Sequence, residues 1–336
     1  MDLVHNLFSL LFPPLNTILL LCVLPLYLII KLIDSLRRHF HSENVAGKVV
    51  IVTGAASGIG EIITYEYAKR RACLALVDIK EDCLKPVVDK ARALGSPDVI
   101  AIVADVSKLE DCERFVNEAV QHFGKLDHLV NNAGMALEED FGYVNKISAL
   151  RRLMDVNFWG AVYGTQFALP HLRKSKGKII AVASCLGWYP IPKSSFCYDP
   201  HPTSASKAAL ISFCESLRSE FGGEIGVTIV IPGNIRTDMT QKVTIHLIIL
   251  EKSNKNFIIP SVSRQACGKA IVSSGCRGDN YLVVPSWVSF LFLWRFWYPE
   301  IADLVNRWAF VLRDNYNNKS KLNPSSVNQI DDLKSN

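Results

Sequence analysis

The sequence predicts an α/β fold, a doubly wound parallel sheet behind an N-terminal membrane anchor. Three observations predict the sheet. Short, apolar, β-branched runs alternate with helical patterns, which is how strands buried on both faces and their crossover helices read. The first run leads at once into a glycine-rich turn, Thr53-Gly54-Ala55-Ala56-Ser57-Gly58-Ile59-Gly60, and then into an amphipathic segment from Glu61 to Arg71. An acidic residue, Asp78, closes the second run.

Taken in order, residues 1–33 read as the anchor. The stretch from Leu7 to Ile30 carries no charge and is long enough for the hydrocarbon core of a bilayer. Pro13, Pro14 and Pro25 interrupt it. Each removes an amide donor, so a kinked span and a shallow hairpin both fit, the hairpin suiting a lipid-droplet monolayer. Neither a basic leading region nor a small-residue cleavage site accompanies the run, which favours a retained element over a removed signal. Arg37 and Arg38 follow with His39 and His41, placing the main domain on the cytosolic side of endoplasmic reticulum or lipid droplet. Residues 34–47 read as a polar linker.

The main domain is expected over 48–280. Strands are predicted at 48–52, 73–77, 99–103, 128–130, 178–183 and 227–231, with helices at 109–123 and 205–221 and a helical run at 153–164. Beyond 240 the pattern weakens. Residues 281–313 are crowded with aromatics, among them Trp287, Phe290, Trp294, Phe296, Trp297 and Trp308. They read either as an extension of the core or as a lid or membrane-proximal element, since Trp and Tyr favour the lipid interface. Residues 314–336 are polar and read as disordered.

Composition narrows the function. At 336 residues, 49% of them hydrophobic, the chain is ample for one large core. A net charge of +5 with no basic stripe excludes a nucleic-acid partner. Nine cysteines are scattered and never spaced C-x-x-C, which argues against both a disulfide framework and a structural metal site; no metal ligands are expected.

The chemistry-bearing positions sit at strand ends. In the glycine turn, Gly54 permits the sharp bend, Gly58 lets backbone approach a dinucleotide pyrophosphate and Gly60 lets helix and strand pack closely. Ser57 and Ile59 open the helix whose positive end faces those phosphates. Asp78 is placed to accept hydrogen bonds from the adenosine ribose and to repel a 2′-phosphate, with Lys80 partly offsetting that repulsion. Asp105 and Val106 follow the third strand, toward the adenine edge. Asn131-Asn132-Ala133-Gly134 follows the fourth, where Gly134 lets the chain pass close to the cofactor. Asn157 lies among apolar neighbours, and Ser184 ends the fifth strand.

Together these pieces resemble the short-chain dehydrogenase/reductase family. They are Thr53-Gly54-x-x-x-Gly58-x-Gly60, Asp105, Asn131-Asn132-Ala133-Gly134, Asn157, Ser184, Ser206-Lys207 and Pro232-Gly233, in order across about residues 45 to 240. The proline-broken anchor, Gly187-Trp188-Tyr189-Pro190 and the aromatic C-terminal stretch more narrowly resemble the plant 11-beta-hydroxysteroid dehydrogenase-like group, the steroleosins. The resemblance implies a Rossmann-type fold and hydride transfer between NAD or NADP and a hydroxyl or keto group of a sterol-like, lipophilic substrate. It implies a tyrosinate as general acid/base, Lys207 lowering its pKa and holding the nicotinamide ribose, Ser184 orienting the substrate oxygen and Asn157 supporting a proton relay. The loop from Pro232 and Gly233 through Ile235 to Thr237 resembles the one that holds the carboxamide. Members of the family are often dimers.

One spacing departs from the family. Its pattern is Tyr-x-x-x-Lys, yet Thr203 stands four residues before Lys207. Tyr198 lies fourteen positions after Ser184, where the family has its tyrosine, so the extra residues fall in Asp199-Pro200-His201-Pro202-Thr203. Two prolines there prevent a continuous helix from Tyr198 into Ala205. Two readings stay open: an oxidoreductase using Tyr198 from a local loop, and a catalytically impaired cofactor-binding coat of lipid droplets.

Overall fold

The computed structural model describes residues 2–40, 42–136, 146–189, 203–237 and 261–308. The chain divides into two compact units, Met1–Glu43 and Asn44–Asn336.

The first unit is one helix, α1 (Asp2–Phe40), with Pro13, Pro14 and Pro25 inside it. No hairpin turn interrupts it, and it continues through residues expected to be linker. Nothing from Asp34 to Phe40 breaks a helix, because that segment holds neither glycine nor proline. Thr17 Oγ1 donates to the Pro13 carbonyl at 2.8 Å, a bond back along the same turn. Among the described residues, His5–Ile33 is the one segment long and apolar enough to cross a membrane by length and composition.

The second unit is built on a sheet of seven strands. They are β1 (Val49–Thr53), β2 (Cys73–Asp78), β3 (Val99–Val103), β4 (His128–Asn131), β5 (Lys178–Val182), β6 (Gly226–Pro232) and a last strand, β9 (Tyr281–Val284), paired in the order β3-β2-β1-β4-β5-β6-β9. All six pairings are parallel. A short parallel pair outside the sheet joins β7 (Ile235–Arg236) to β8 (Val262–Ser263). The last strand lies past the boundary at 280 that the sequence suggested. Its apolar run is short and merges into the aromatic stretch behind it, so the pattern hides it.

Alternate residues along the strands feed two cores. Val50, Val52, Leu74 and Leu76 pack beneath α2 (Gly58–Lys69), α3 (Glu81–Ala93) and α9 (Arg264–Arg277). Val49, Ile51, Ala75 and Val77 face α4 (Leu109–Phe123), α6 (Gly160–Ser175) and α8 (Thr203–Phe221). This period of two, with both faces covered, is why the strands read as unbroken apolar runs. The strand order reverses between β1 and β4, and the crevice at the carboxyl ends there is where open α/β sheets hold ligands.

The helical run predicted at 153–164 is more elaborate. Helix α5 (Lys146–Met154) leads into a π-helical turn, Asp155–Trp159, before α6 begins. Such turns often mark functional positions, and this one carries Asn157.

Candidate active site

The glycine turn is locked by contacts across the crevice. Gly54 and Gly58 both have positive φ, 66° and 61°. A β-carbon at Gly60 would lie 2.0 Å from the Gly54 carbonyl oxygen, so only glycine closes the turn onto α2. At Gly58 the same construction meets nothing within 4 Å. The space in front of Gly58 thus admits a ligand's phosphates up to bare backbone. Ser57 is exposed, and its side chain does not cap α2, so that helix end stays available to an anion. Ile59 turns inward and packs on the core.

Thr53 and Asn132 join the turn to β4. Thr53 Oγ1 donates to Val130 O at 3.2 Å and accepts from the amides of Asn132 and Ala133, both at 3.1 Å. Asn132 Nδ2 donates to the carbonyls of Thr53 and Gly54 at 3.0 and 3.1 Å. Asn131 points the other way and donates to Thr165 Oγ1 at 2.9 Å, tying β4 to α6. Sequence reasoning assigned Thr53 no role. Its signal was a hydroxyl at the last position of a buried strand, directly before the glycine turn.

Asp78 ends β2 half-buried. One carboxylate oxygen accepts from Ala56 N at 2.9 Å and the other from Lys80 N at 3.0 Å. The carboxylate therefore holds the glycine turn as well as facing the crevice. Asp105 has a local task too: its Oδ1 accepts from Ser107 N at 3.0 Å and Ser107 Oγ at 2.7 Å, opening the turn into α4. Val106 is buried beneath Gly160, where a β-carbon would approach its Cγ2 to 2.9 Å.

A second cluster forms around Asn157, which is buried. Its Oδ1 accepts from Met135 N at 2.8 Å, and its Nδ2 donates to Met135 O at 3.0 Å and Ser206 Oγ at 3.2 Å. This pattern fixes the amide's orientation. A β-carbon at Gly134 would lie 3.2 Å from Asn157 Oδ1 and 3.5 Å from Lys207 Nζ. Gly134, Asn157 and Lys207, from three separate elements, thus converge on one point. Lys207 sits in the second turn of α8 and donates to Val182 O at 2.8 Å. Burial holds its ammonium down at about 8, because an apolar surround penalises charge.

Ser184 follows β5 and caps a short helix, α7 (Cys185–Trp188), its oxygen accepting from Leu186 N at 3.2 Å. A β-carbon at Gly187 would lie 2.9 Å from Ala208 N, so α7 rests on the turn of α8 that bears Lys207. Pro232 ends β6, the neighbour of β5. Gly233 N donates to Val284 O at 2.7 Å, Ile235 is buried within β7 and Thr237 is half-buried just after it. Tyr198, with His201, lies outside the described residues. Thr203 is the first residue of α8. Among the described residues no cluster of three His, Cys, Asp or Glu side chains could hold a metal.

Comparison with known proteins places this geometry. A family profile described as short chain dehydrogenase matches residues 48–247. The chain is 48% identical over 314 residues to 11-beta-hydroxysteroid dehydrogenase-like 3 of Arabidopsis thaliana, covering 93% of this chain and 97% of that one. It is 46% identical over 318 residues to 11-beta-hydroxysteroid dehydrogenase A of Arachis hypogaea, covering 93% and 88%. A crystal structure of a short chain dehydrogenase/reductase from Burkholderia phymatum, in complex with NAD, superposes with a TM-score of 0.64 at 21% identity. That match covers 77% of this chain and 96% of that one, and it speaks to the fold alone.

Proposed function

The chain belongs to the short-chain dehydrogenase/reductase family, and from that premise we propose that it is a membrane-anchored oxidoreductase. It exchanges a hydride between NAD(P) and a hydroxyl or keto group of a steroid or other lipophilic substrate. The observation that carries this reading is the buried Lys207 ammonium converging with the Asn157 amide on Gly134, at the carboxyl ends of a parallel sheet.

A nicotinamide dinucleotide, when bound, supplies the hydride acceptor or donor. The chain's own residues do the rest. Gly58 and the uncapped start of α2 receive the pyrophosphate. Asp78 receives the adenosine ribose and disfavours a 2′-phosphate, which makes NAD the better fit of the two dinucleotides. Lys207 holds the nicotinamide ribose, and Ser184 orients the substrate oxygen. In the oxidative direction, the Tyr198 phenolate takes the proton from the substrate hydroxyl as the hydride leaves the same carbon. A phenol ordinarily titrates near pH 10, so this step requires the neighbouring cation. Asn157 supports the relay by which water carries the proton onward. Helix α1 anchors the enzyme in endoplasmic reticulum or lipid-droplet membrane, where a sterol-like substrate partitions.

The test is reduction of NAD or NADP by the purified full-length chain in lipid vesicles loaded with sterol alcohols. Dinucleotide binding without turnover on any of them counts against this reading. A second reading is favoured by Thr203, whose hydroxyl occupies the position four before Lys207 and titrates far too high to replace a phenol. On that reading the chain is a cofactor-binding coat of lipid droplets with little turnover.

A further inference from the structure

Gly187, Trp188 and Tyr189 close the short helix that Ser184 opens, and none of them has a task in the hydride exchange. Helix α7 holds only four residues, about 6 Å of chain. So short a helix is not stable by itself, because its first turn fixes several dihedrals for one hydrogen bond. Its place is therefore set by what grips it from outside. Ser184 shares that place, since its oxygen is tied to Leu186 N at 3.2 Å.

Each of the three closing residues is held by a different element. At Gly187 a β-carbon would lie 2.9 Å from Lys207 C and 2.8 Å from Ile211 Cδ1, so the backbone of α7 lies directly on α8. Arg295 Nη1, from helix α10 (Val288–Trp297), donates to Trp188 O at 2.6 Å. Arg295 has no carboxylate partner among the described residues, so this cation is committed to one main-chain carbonyl. The centre of the Trp188 ring lies 4.7 Å from that of Phe292 on α10 and 5.4 Å from that of Tyr281 on β9. Tyr189 Oη donates at 3.2 Å to Oδ1 of Asn306, a buried amide on helix α11 (Pro299–Arg307).

We infer that Arg295 and Asn306 are positioning residues, which act through α7 to hold the Ser184 hydroxyl in register with Lys207. Plain packing would need only apolar contact at the end of α7. Instead two directional bonds end there, one from a guanidinium and one to a buried amide that would be costly to leave unpaired. The contact at Gly187 sets how closely α7 approaches the backbone of Lys207. The bonds at Trp188 O and Tyr189 Oη fix its tilt, and the tilt aims Ser184. A reacting group displaced by about 1 Å can cost roughly 100-fold in rate, so a hold on one short helix is worth more to turnover than to stability. The inference rests on the oxidoreductase reading for the task of Ser184, though not for the contacts that hold α7.

The experiment uses the full-length chain in phosphatidylcholine vesicles and takes two readings. Cys185 is a free thiol beside Ser184, half-buried, and burial raises its pKa above the ordinary range. A loosened α7 exposes it to iodoacetamide. Arg295→Ala, and Tyr189→Phe, which breaks the bond to Asn306, should each speed alkylation of Cys185 several-fold by peptide mass spectrometry. The buried Cys112 and Cys267 should stay protected. If Arg295→Ala also exposes Cys267, that variant has unfolded at large, and Tyr189→Phe, which deletes a single oxygen, decides the matter. On a sterol alcohol, kcat should fall about 10-fold while the dinucleotide dissociation constant stays the same. Arg295→Lys, which keeps a donor for Trp188 O, should recover part of that loss. Alkylation of Cys185 at the parent's rate in both variants would overturn the proposal, and so would faster alkylation with kcat unchanged. An inert parent whose variants still alkylate faster counts against the oxidoreductase reading and leaves the hold on α7 standing.

Discussion

Lys207 Nζ donates a hydrogen bond to the carbonyl of Val182 at 2.8 Å, inside the protein, and burial lowers its pKa. A buried ammonium in an apolar surround is expensive, and the price appears as a pKa of about 8 against the ordinary 10.5. The folded state therefore binds its proton less readily than the unfolded state. Stability rises with pH between about 8 and 10.5 on account of this group, and its cost is fully present below about 8.

Lys207→Met should accordingly stabilise the fold while removing activity. At roughly 1.4 kcal/mol per pKa unit, less a lost hydrogen bond of about 1 kcal/mol, the net gain at neutral pH is about 2–3 kcal/mol. Thermal unfolding checks it. A variant that unfolds at lower temperature than the parent at pH 7 would mean the ammonium is better compensated than its surroundings indicate.

Gly58 and Gly60 should separate ligand space from packing. Gly60→Ala forces a β-carbon to 2.0 Å from Gly54 O and should cost about 1–3 kcal/mol in stability as well as dinucleotide binding. Gly58→Ala meets no atom. It should cost only about 1–2 kcal/mol for its left-handed backbone, yet abolish most dinucleotide binding. Equal losses of binding and stability at Gly58 would argue that no phosphate approaches it.

Asp78→Asn should relax discrimination between the two dinucleotides. The carboxylate accepts from Ala56 N and Lys80 N, and an amide keeps one of those bonds, so stability should fall by about 1–2 kcal/mol. The ratio of NADP to NAD dissociation constants should drop at least several-fold. An unchanged ratio in binding titrations would assign Asp78 to the turn alone.

Much of this was legible in the sequence, for identifiable reasons. Strands buried on both faces announce themselves as apolar runs, so β1 to β6 were found within a residue or two. The glycines and Asp78 stand at ends of those runs, where topology brings chain ends together, whereas Asn157 and Lys207 lie within helical segments and were picked out by the family resemblance. Other features had no local signal. The π-helical turn at Asn157 follows from closure around Met135, a contact across 22 positions. The last strand was masked by the aromatics behind it, although its residues pair with Ile229 to Pro232. The sequence left the anchor open between a kinked span and a hairpin, because prolines weaken a helix without always ending it.

The most direct test of the account is a comparison of hydride transfer by the full-length chain and by Tyr198→Phe, with Thr203→Tyr alongside, in the same sterol-loaded vesicles. The account predicts measurable transfer by the parent, a loss of at least about 100-fold in Tyr198→Phe, and no large gain in Thr203→Tyr. An inert parent that Thr203→Tyr brings to life would contradict it, and would identify the chain as a cofactor-binding relative that has lost its phenol.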